Sequence, residues 1–191
     1  MIITIPSDRA KINIKSVAID TNVLLWTFYD KTTFVQSYQK KIYPGFLSGL
    51  IENRNCKVYT TFYNICELFN VIENNEYELY LKHNSLEIEV FSKKQYRLIT
   101  EEREKLKKTF ELLYSQISQC MEIKEMLLDE NCINFYNENF LEHRYDMFDF
   151  LLLKFCKDNN VDGVVTDDSD FSSYKEYVNN VSIITANRNL K

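Results

Sequence analysis

The residues able to do chemistry in this sequence are nearly all carboxylates, and the most informative ones follow short apolar runs. Asp20 comes directly after Val17-Ala-Ile19, and Thr166-Asp-Asp-Ser-Asp-Phe171 sets three acids within four residues after Val161-Asp-Gly-Val-Val165. Carboxylates this close repel, and each raises the cost of ionising the others. A divalent cation removes that cost, because Mg²⁺ and Mn²⁺ favour oxygen ligands. Two readings stand at each place. Asp20-Thr-Asn22 is a helix cap or turn, for which Asp and Asn are well suited, or Asp20 is a metal ligand at the end of a rigid strand with Asn22 in support. The 167–170 cluster is a solvated acidic turn or a metal site. A calcium EF-hand loop fits poorly, since the sixth loop position lacks Gly and no Glu follows at the right spacing.

Two further acidic positions sit in helical patterns. At 100° per residue Asp149 lies within about 60° of Leu152, Leu153 and Cys156, so a carboxylate shares an apolar stripe. An uncompensated charge is costly there. Asp146 is on the same side, and the first turn of a helix favours acids. An N-cap at Asp146 with Asp149 as first-turn acid accounts for the pair equally well. Glu67 belongs to a stretch that is apolar at Phe62, Ile65, Cys66, Leu68, Phe69, Val71 and Ile72. Tyr63, Glu67, Asn70 and Asn74 form the remaining polar stripe, open either to bulk water or to a wet cleft.

The elements that must position these acids follow from periodicity. Apolar, β-branched runs at 15–20, 56–60, 161–166 and 181–185 read as buried strands. Helices are expected from Val23, from Pro44 as a first helical residue, over 62–82 with Thr60 or Thr61 as cap, over 100–128, and over 146–157. The long helix carries Leu106, Phe110, Leu113, Ile117 and Met121 on one stripe. Residues 86–90 alternate and fit strand or helix. Strands alternating with helices give an α/β fold with a mainly parallel sheet. Ligands in such sheets bind beyond the carboxyl ends of the strands, which is where Asp20 and the 167–170 cluster fall.

The chain has 191 residues, 23 Lys plus Arg against 28 Asp plus Glu, and a formal charge of −5. With 45% hydrophobic residues, three Gly and two Pro, disordered and collagen-like classes are excluded. The length suits one domain. Five cysteines without a CxxC pair read as reduced thiols in a cytoplasmic protein, not as a zinc site or disulfide framework. No apolar run is long enough for a membrane helix, and Met1-Ile-Ile-Thr-Ile5 lacks signal-peptide features. The acidic balance excludes a purely electrostatic nucleic-acid binder. Lys93, Lys94 and Arg97 head a basic stretch, continued by Arg103, Lys105, Lys107 and Lys108, that is either a solvated face or a phosphate contact. His83 and His143 are isolated and read as structural or exposed.

In chain order, Val17-Ala-Ile-Asp-Thr-Asn-Val-Leu-Leu25, Thr61-Phe-Tyr-Asn-Ile-Cys-Glu-Leu68, Asp149-Phe-Leu-Leu-Leu153 and Val164-Val-Thr-Asp-Asp-Ser-Asp-Phe171 resemble the motifs of the PIN-domain ribonucleases. That family includes the toxin nucleases of the VapB–VapC type. The resemblance covers essentially the whole chain. It implies one PIN-like domain over 1–191, with a mainly parallel sheet of four to five strands flanked by helices and an enlarged helical segment between about residues 75 and 145. Positions 67 and 149 stand 82 residues apart, more than in compact toxin members. Carried over position by position, Asp20, Glu67, Asp149 and Asp168 correspond to an acidic quartet around one or two Mg²⁺ or Mn²⁺ ions. Asp170 is then an auxiliary ligand, Asn22 and Thr166 are polar supports, and Asp146 competes with Asp149 for the third place. The implied activity is metal-dependent hydrolysis of RNA phosphodiester bonds. The implied partners are RNA, a small antitoxin and a second copy of the chain. The alternative is a catalytically silent PIN-like module that binds RNA or protein. A haloacid-dehalogenase pattern lacks its second Asp at 22, and a topoisomerase-primase pattern leaves Asp20 and Asp149 unused.

Overall fold

A computed structural model of the protein describes residues 2–5, 14–31, 37–52, 55–139, 146–171 and 181–190. In chain order the elements are β1 (Ile2–Thr4), β2 (Ser16–Ile19), α1 (Thr21–Phe28), α2 (Ser37–Glu52), β3 (Lys57–Thr61), α3 (Phe62–His83), α4 (Lys93–Tyr96), α5 (Thr100–Cys120), β4 (Glu122–Lys124), α6 (Glu130–Asn139), α7 (Met147–Asp158), β5 (Gly163–Val165) and β6 (Ser182–Thr185). All strand pairs are parallel, in the order β1-β6-β5-β2-β3-β4.

The sheet has six strands among the described residues, not the expected four to five. The additions are its two edges. β1 and β4 are three residues each, too short for a periodic signal, and exist by pairing with β6 and β3. Three helical expectations change as well. Pro44 lies inside α2, not at its start, since α2 begins at Ser37 and is held there by side chains of its first two turns. The long helix stops at Cys120, where β4 takes over. Residues 86–90 are neither strand nor helix but turns, with Ile88 and Val90 exposed.

Both faces of the sheet are covered, which explains strands apolar at every position. Val17 and Ile19 point to one face, into a core shared with α1, α2, α3 and α5. Ala18, Val164 and Ile183 point to the other, against Leu152, Phe155 and Cys156 of α7. A Cβ added at Gly163 would stand 2.9 Å from Ile184 Cδ1 and 3.0 Å from the Ser182 carbonyl, so close packing requires Gly there. From β2 the chain steps outward through β3 to β4, then crosses back to β5 on the other side of β2. The β2–β5 boundary is therefore the switch point, where a crevice opens beyond the carboxyl ends of the strands.

Candidate active site

Asp20 leaves β2 at this crevice and caps α1. It is buried, its Oδ1 accepting from Thr21 N at 2.6 Å and its Oδ2 from Thr166 Oγ1 at 2.8 Å. The cap reading and the ligand reading of Asp20 are thus compatible, because the cap fixes the carboxylate at the switch point. Thr166, buried at the end of β5, also accepts from Asp168 N at 3.0 Å. The Asp168 Oδ1 in turn accepts from Asp170 N at 2.8 Å. Adjacent strands are thereby locked so that Asp20 and Asp168 face a common space.

Glu67 arrives from α3. Thr61 caps that helix, accepting from Asn64 N at 3.2 Å and donating to Asn64 Oδ1 at 2.5 Å. Asn64 Nδ2 reaches Thr21 Oγ1 at 3.0 Å, and Thr21 Oγ1 donates to Glu67 Oε2 at 2.5 Å. This relay turns Glu67 toward Asp20, into the cleft and not into bulk water. Asp146 caps α7, its Oδ1 accepting from Phe148 N at 2.8 Å and Asp149 N at 3.0 Å. Asp146 is exposed and engaged with backbone, whereas Asp149 is half-buried beside Leu152 and Leu153.

Each of the four acids is raised by burial and by neighbouring carboxylates. Burial pushes Asp149 up to about 9, reinforced by Asp20, Asp146, Asp168 and Glu67. Burial likewise pushes Asp20 up to about 7, against the Thr166 hydrogen bond, with Glu67 and Asp168 adding to the rise. Burial raises Glu67, with Asp146 and Asp168 contributing, and raises Asp168, with Asp170, Asp146 and Asp167 contributing. Among the described residues none of the four is ion-paired to Lys, Arg or His. Among the described residues no three His, Cys, Asp or Glu side chains stand close enough to form a ready-made metal cage. The donor chemistry nevertheless suits a hard divalent cation: oxygen ligands only, like charges close together and no ion-paired cation among the described residues to offset them.

Asn22 lies half-buried in the first turn of α1, and its side chain forms no hydrogen bond among the described residues. Asp170 is half-buried beside Asp168. Asp167, adjacent in sequence to Asp168, is drawn away from the cleft. Its carboxylate accepts from Tyr38 Oη at 2.8 Å, Gln39 Nε2 at 2.6 Å and Tyr43 Oη at 2.6 Å, and its carbonyl from Asn187 Nδ2 at 2.8 Å. Lys93 and Arg97 are not free cations but bind Glu73, while Lys94 forms no ion pair among the described residues. His83 is exposed at the end of α3, and His143 lies outside the described residues. Sequence reasoning missed Thr21, Asn64 and Tyr43, and did not separate Asp167 from its acidic neighbours in the 167–170 cluster. Of the three, only Asn64 left a signal, as the third residue after a Thr cap.

All five cysteines are free thiols. No helix among the described residues is long and apolar enough to cross a membrane. No protein-family model and no curated protein matches the chain.

Proposed function

We propose that the chain is a Mg²⁺- or Mn²⁺-dependent endoribonuclease that hydrolyses RNA phosphodiester bonds at the cleft of Asp20, Glu67, Asp149 and Asp168. The observation that carries this reading is the way Thr21 bonds both Asp20 and Glu67 and Thr166 bonds both Asp20 and Asp168 at the sheet's switch point, with Asp149 raised by all three and none of the four paired to a basic side chain among the described residues.

One or two bound ions would supply Lewis acidity toward the phosphate and lower the pKa of water for attack. The protein's part is to hold the ligands in register. Thr21 N and Thr166 Oγ1 fix the two oxygens of Asp20, Thr21 Oγ1 orients Glu67, and the Asp146 cap presents Asp149. With their raised proton affinity, Asp20 and Asp149 release protons as a cation binds. Thr166 and the Asp170 backbone support the same set, and Asn22, half-buried in the first turn of α1, is proposed as a further polar support.

The test is cleavage of labelled single-stranded RNA. Wild type cuts with Mg²⁺ or Mn²⁺, EDTA stops it, and Asp20→Asn lowers the rate ~100-fold or more. Cleavage that survives both EDTA and Asp20→Asn overturns the reading. RNA binding without cleavage in either metal favours the silent module instead. On the nuclease reading, the protein acts as the toxin of a toxin–antitoxin pair or as another RNA-processing or defence nuclease. A small antitoxin then suppresses cleavage on coexpression, and a homodimer doubles the mass in solution.

A further inference from the structure

Glu73 of α3 is buried, 8% exposed, and gathers three cations from the segment that follows. Arg97 Nε and Nη2 reach its two oxygens at 3.0 and 2.5 Å, Arg103 Nη1 lies at 2.8 Å and Lys93 Nζ at 3.0 Å. A single cation would neutralise this carboxylate. Three leave the group two charges positive, with the Arg97 and Arg103 side chains each 47% exposed. Arg97 spends its Nε–Nη2 edge on Glu73 and Arg103 only its Nη1, so both guanidiniums keep N–H donors for an outside acceptor. Lys94 adds a further exposed cation beside them.

Lys93 ties the cluster to the helix face that carries Glu67. Glu67, Asn70 and Asn74 share one stripe of α3, with Asn70 and Asn74 exposed, and Lys93 Nζ also donates to Asn74 Oδ1. Glu67 and Asn74 are about 10 Å apart along the helix at 1.5 Å per residue. The stripe thus runs from a carboxylate through uncharged amides to Lys93, with the two guanidiniums beyond it on Glu73, about 100° round the helix from Asn74, an order of surfaces suited to a polyanion anchored at one end by a metal and at the other by Arg. Guanidinium forks match phosphate oxygens in geometry.

We propose that Arg97 and Arg103, organised with Lys93 by Glu73, form a phosphate-binding subsite for the RNA backbone a few nucleotides from the bond cut at the acid cleft. This rests on the nuclease reading above. It also accounts for how a chain of net charge −5 engages a polyanion, since the positive charge is fixed locally.

The test uses the full chain with Mn²⁺ and a 12-nucleotide single-stranded RNA, comparing wild type, Arg103→Gln and the double variant Glu73→Gln/Arg97→Gln. The double variant removes both halves of the Arg97–Glu73 pair and leaves Lys93 and Arg103, 24% and 47% exposed, without their carboxylate. Arg103→Gln keeps two cations on Glu73, so it serves if the double variant fails to fold. Expected are a KM about fivefold higher with kcat within twofold, and a slope of log affinity against log salt smaller by ~0.7 per lost contact. A structural role alone leaves the salt slope unmoved. Unchanged KM and slope, or a loss confined to kcat, overturns the subsite while leaving the nuclease reading intact. If the wild type cleaves no RNA with either metal, both fall.

Discussion

Asp149 and Asp20 bind protons more tightly in the native protein than in the unfolded chain, where aspartate titrates near its ordinary 3.8. Between about pH 4 and 7 for Asp20, and up to about 9 for Asp149, the native state therefore holds protons that the unfolded state has released. Metal-free stability falls as pH rises through that window and is undiminished by these groups below it. Melting curves on EDTA-treated protein check this, with a higher Tm expected at pH 5 than at pH 8 from these two acids. On the proposed metal site, Mn²⁺ binds the ionised form, so its stabilisation is expected to be larger at pH 8 than at pH 5. Asp149→Asn raises the metal-free Tm at pH 8, by about 2–4 °C for each kcal/mol relieved, and abolishes the Mn²⁺ shift. A lower Tm in that variant, with the Mn²⁺ shift kept, would show that Asp149 is not a strained ligand. Asp149 was legible in the sequence because it shares a stripe with Leu152, Leu153 and Cys156, all buried. Thr21 was not, since a lone hydroxyl carries no periodic signal and gains its role only when α3 brings Glu67 against it.

The strap of residues 166–170 after β5 is held to α2 through Asp167 and the Thr166 carbonyl. Tyr43 Oη donates to Asp167, accepts from Ala186 N at 2.9 Å, and so ties the ends of β5 and β6 to one helix. Tyr43→Phe leaves a buried N–H and a buried carboxylate oxygen each short of a partner, at a cost of ~1–3 kcal/mol. The expected result is a Tm lower by about 2–4 °C per kcal/mol and a Mn²⁺ affinity about tenfold weaker. Calorimetric titration decides the matter, because a lowered Tm with unchanged Mn²⁺ affinity limits α2 to a structural part. This latch also explains why the start of α2 was misread. Pro44 is favourable at a first helical position, yet Tyr38 and Gln39, both bonded to Asp167, belong to turns before it. Tertiary contacts that span more than 120 residues overrode a local preference. The central strands β2, β3, β5 and β6 were legible as apolar runs, whereas the three-residue edges β1 and β4 derive their identity from their partners.

At the scale of the molecule, the long segment between Glu67 and Asp149 is built into the fold, not appended to it. α5 buries Leu106, Leu113 and Ile117 in the main core, and β4 extends the sheet beyond β3. The α4–α5 junction is fastened by Glu73, whose carboxyl the Arg97 hydrogen bonds hold down at about 2 against the opposing effect of burial. A depressed acid contributes stability above its ordinary 4.5 and loses it as pH falls toward about 2. Glu73→Gln is therefore expected to lower Tm at pH 7 by roughly 2–6 °C, discounted for the half-exposed guanidiniums, with the gap to wild type closing in acid. A gap independent of pH would mean that packing, not charge, fastens the junction. The α/β class and the parallel sheet were readable from strand and helix periods. The cation cluster was readable only as a basic stretch, because Glu73 lies 20 residues or more before its partners.

The parallel pairing of β2 with β5 has a consequence for synthesis. Asp20 leaves the ribosome before the neighbour that completes its side of the crevice, with Thr166 and Asp168, which follows some 146 residues later. Such distant pairings make folding slow and late. A nascent chain still short of β5 holds Asp20, Glu67 and Asp149 but no strap to register them. On the nuclease reading, cutting power arises only once β5 has been translated and paired with β2.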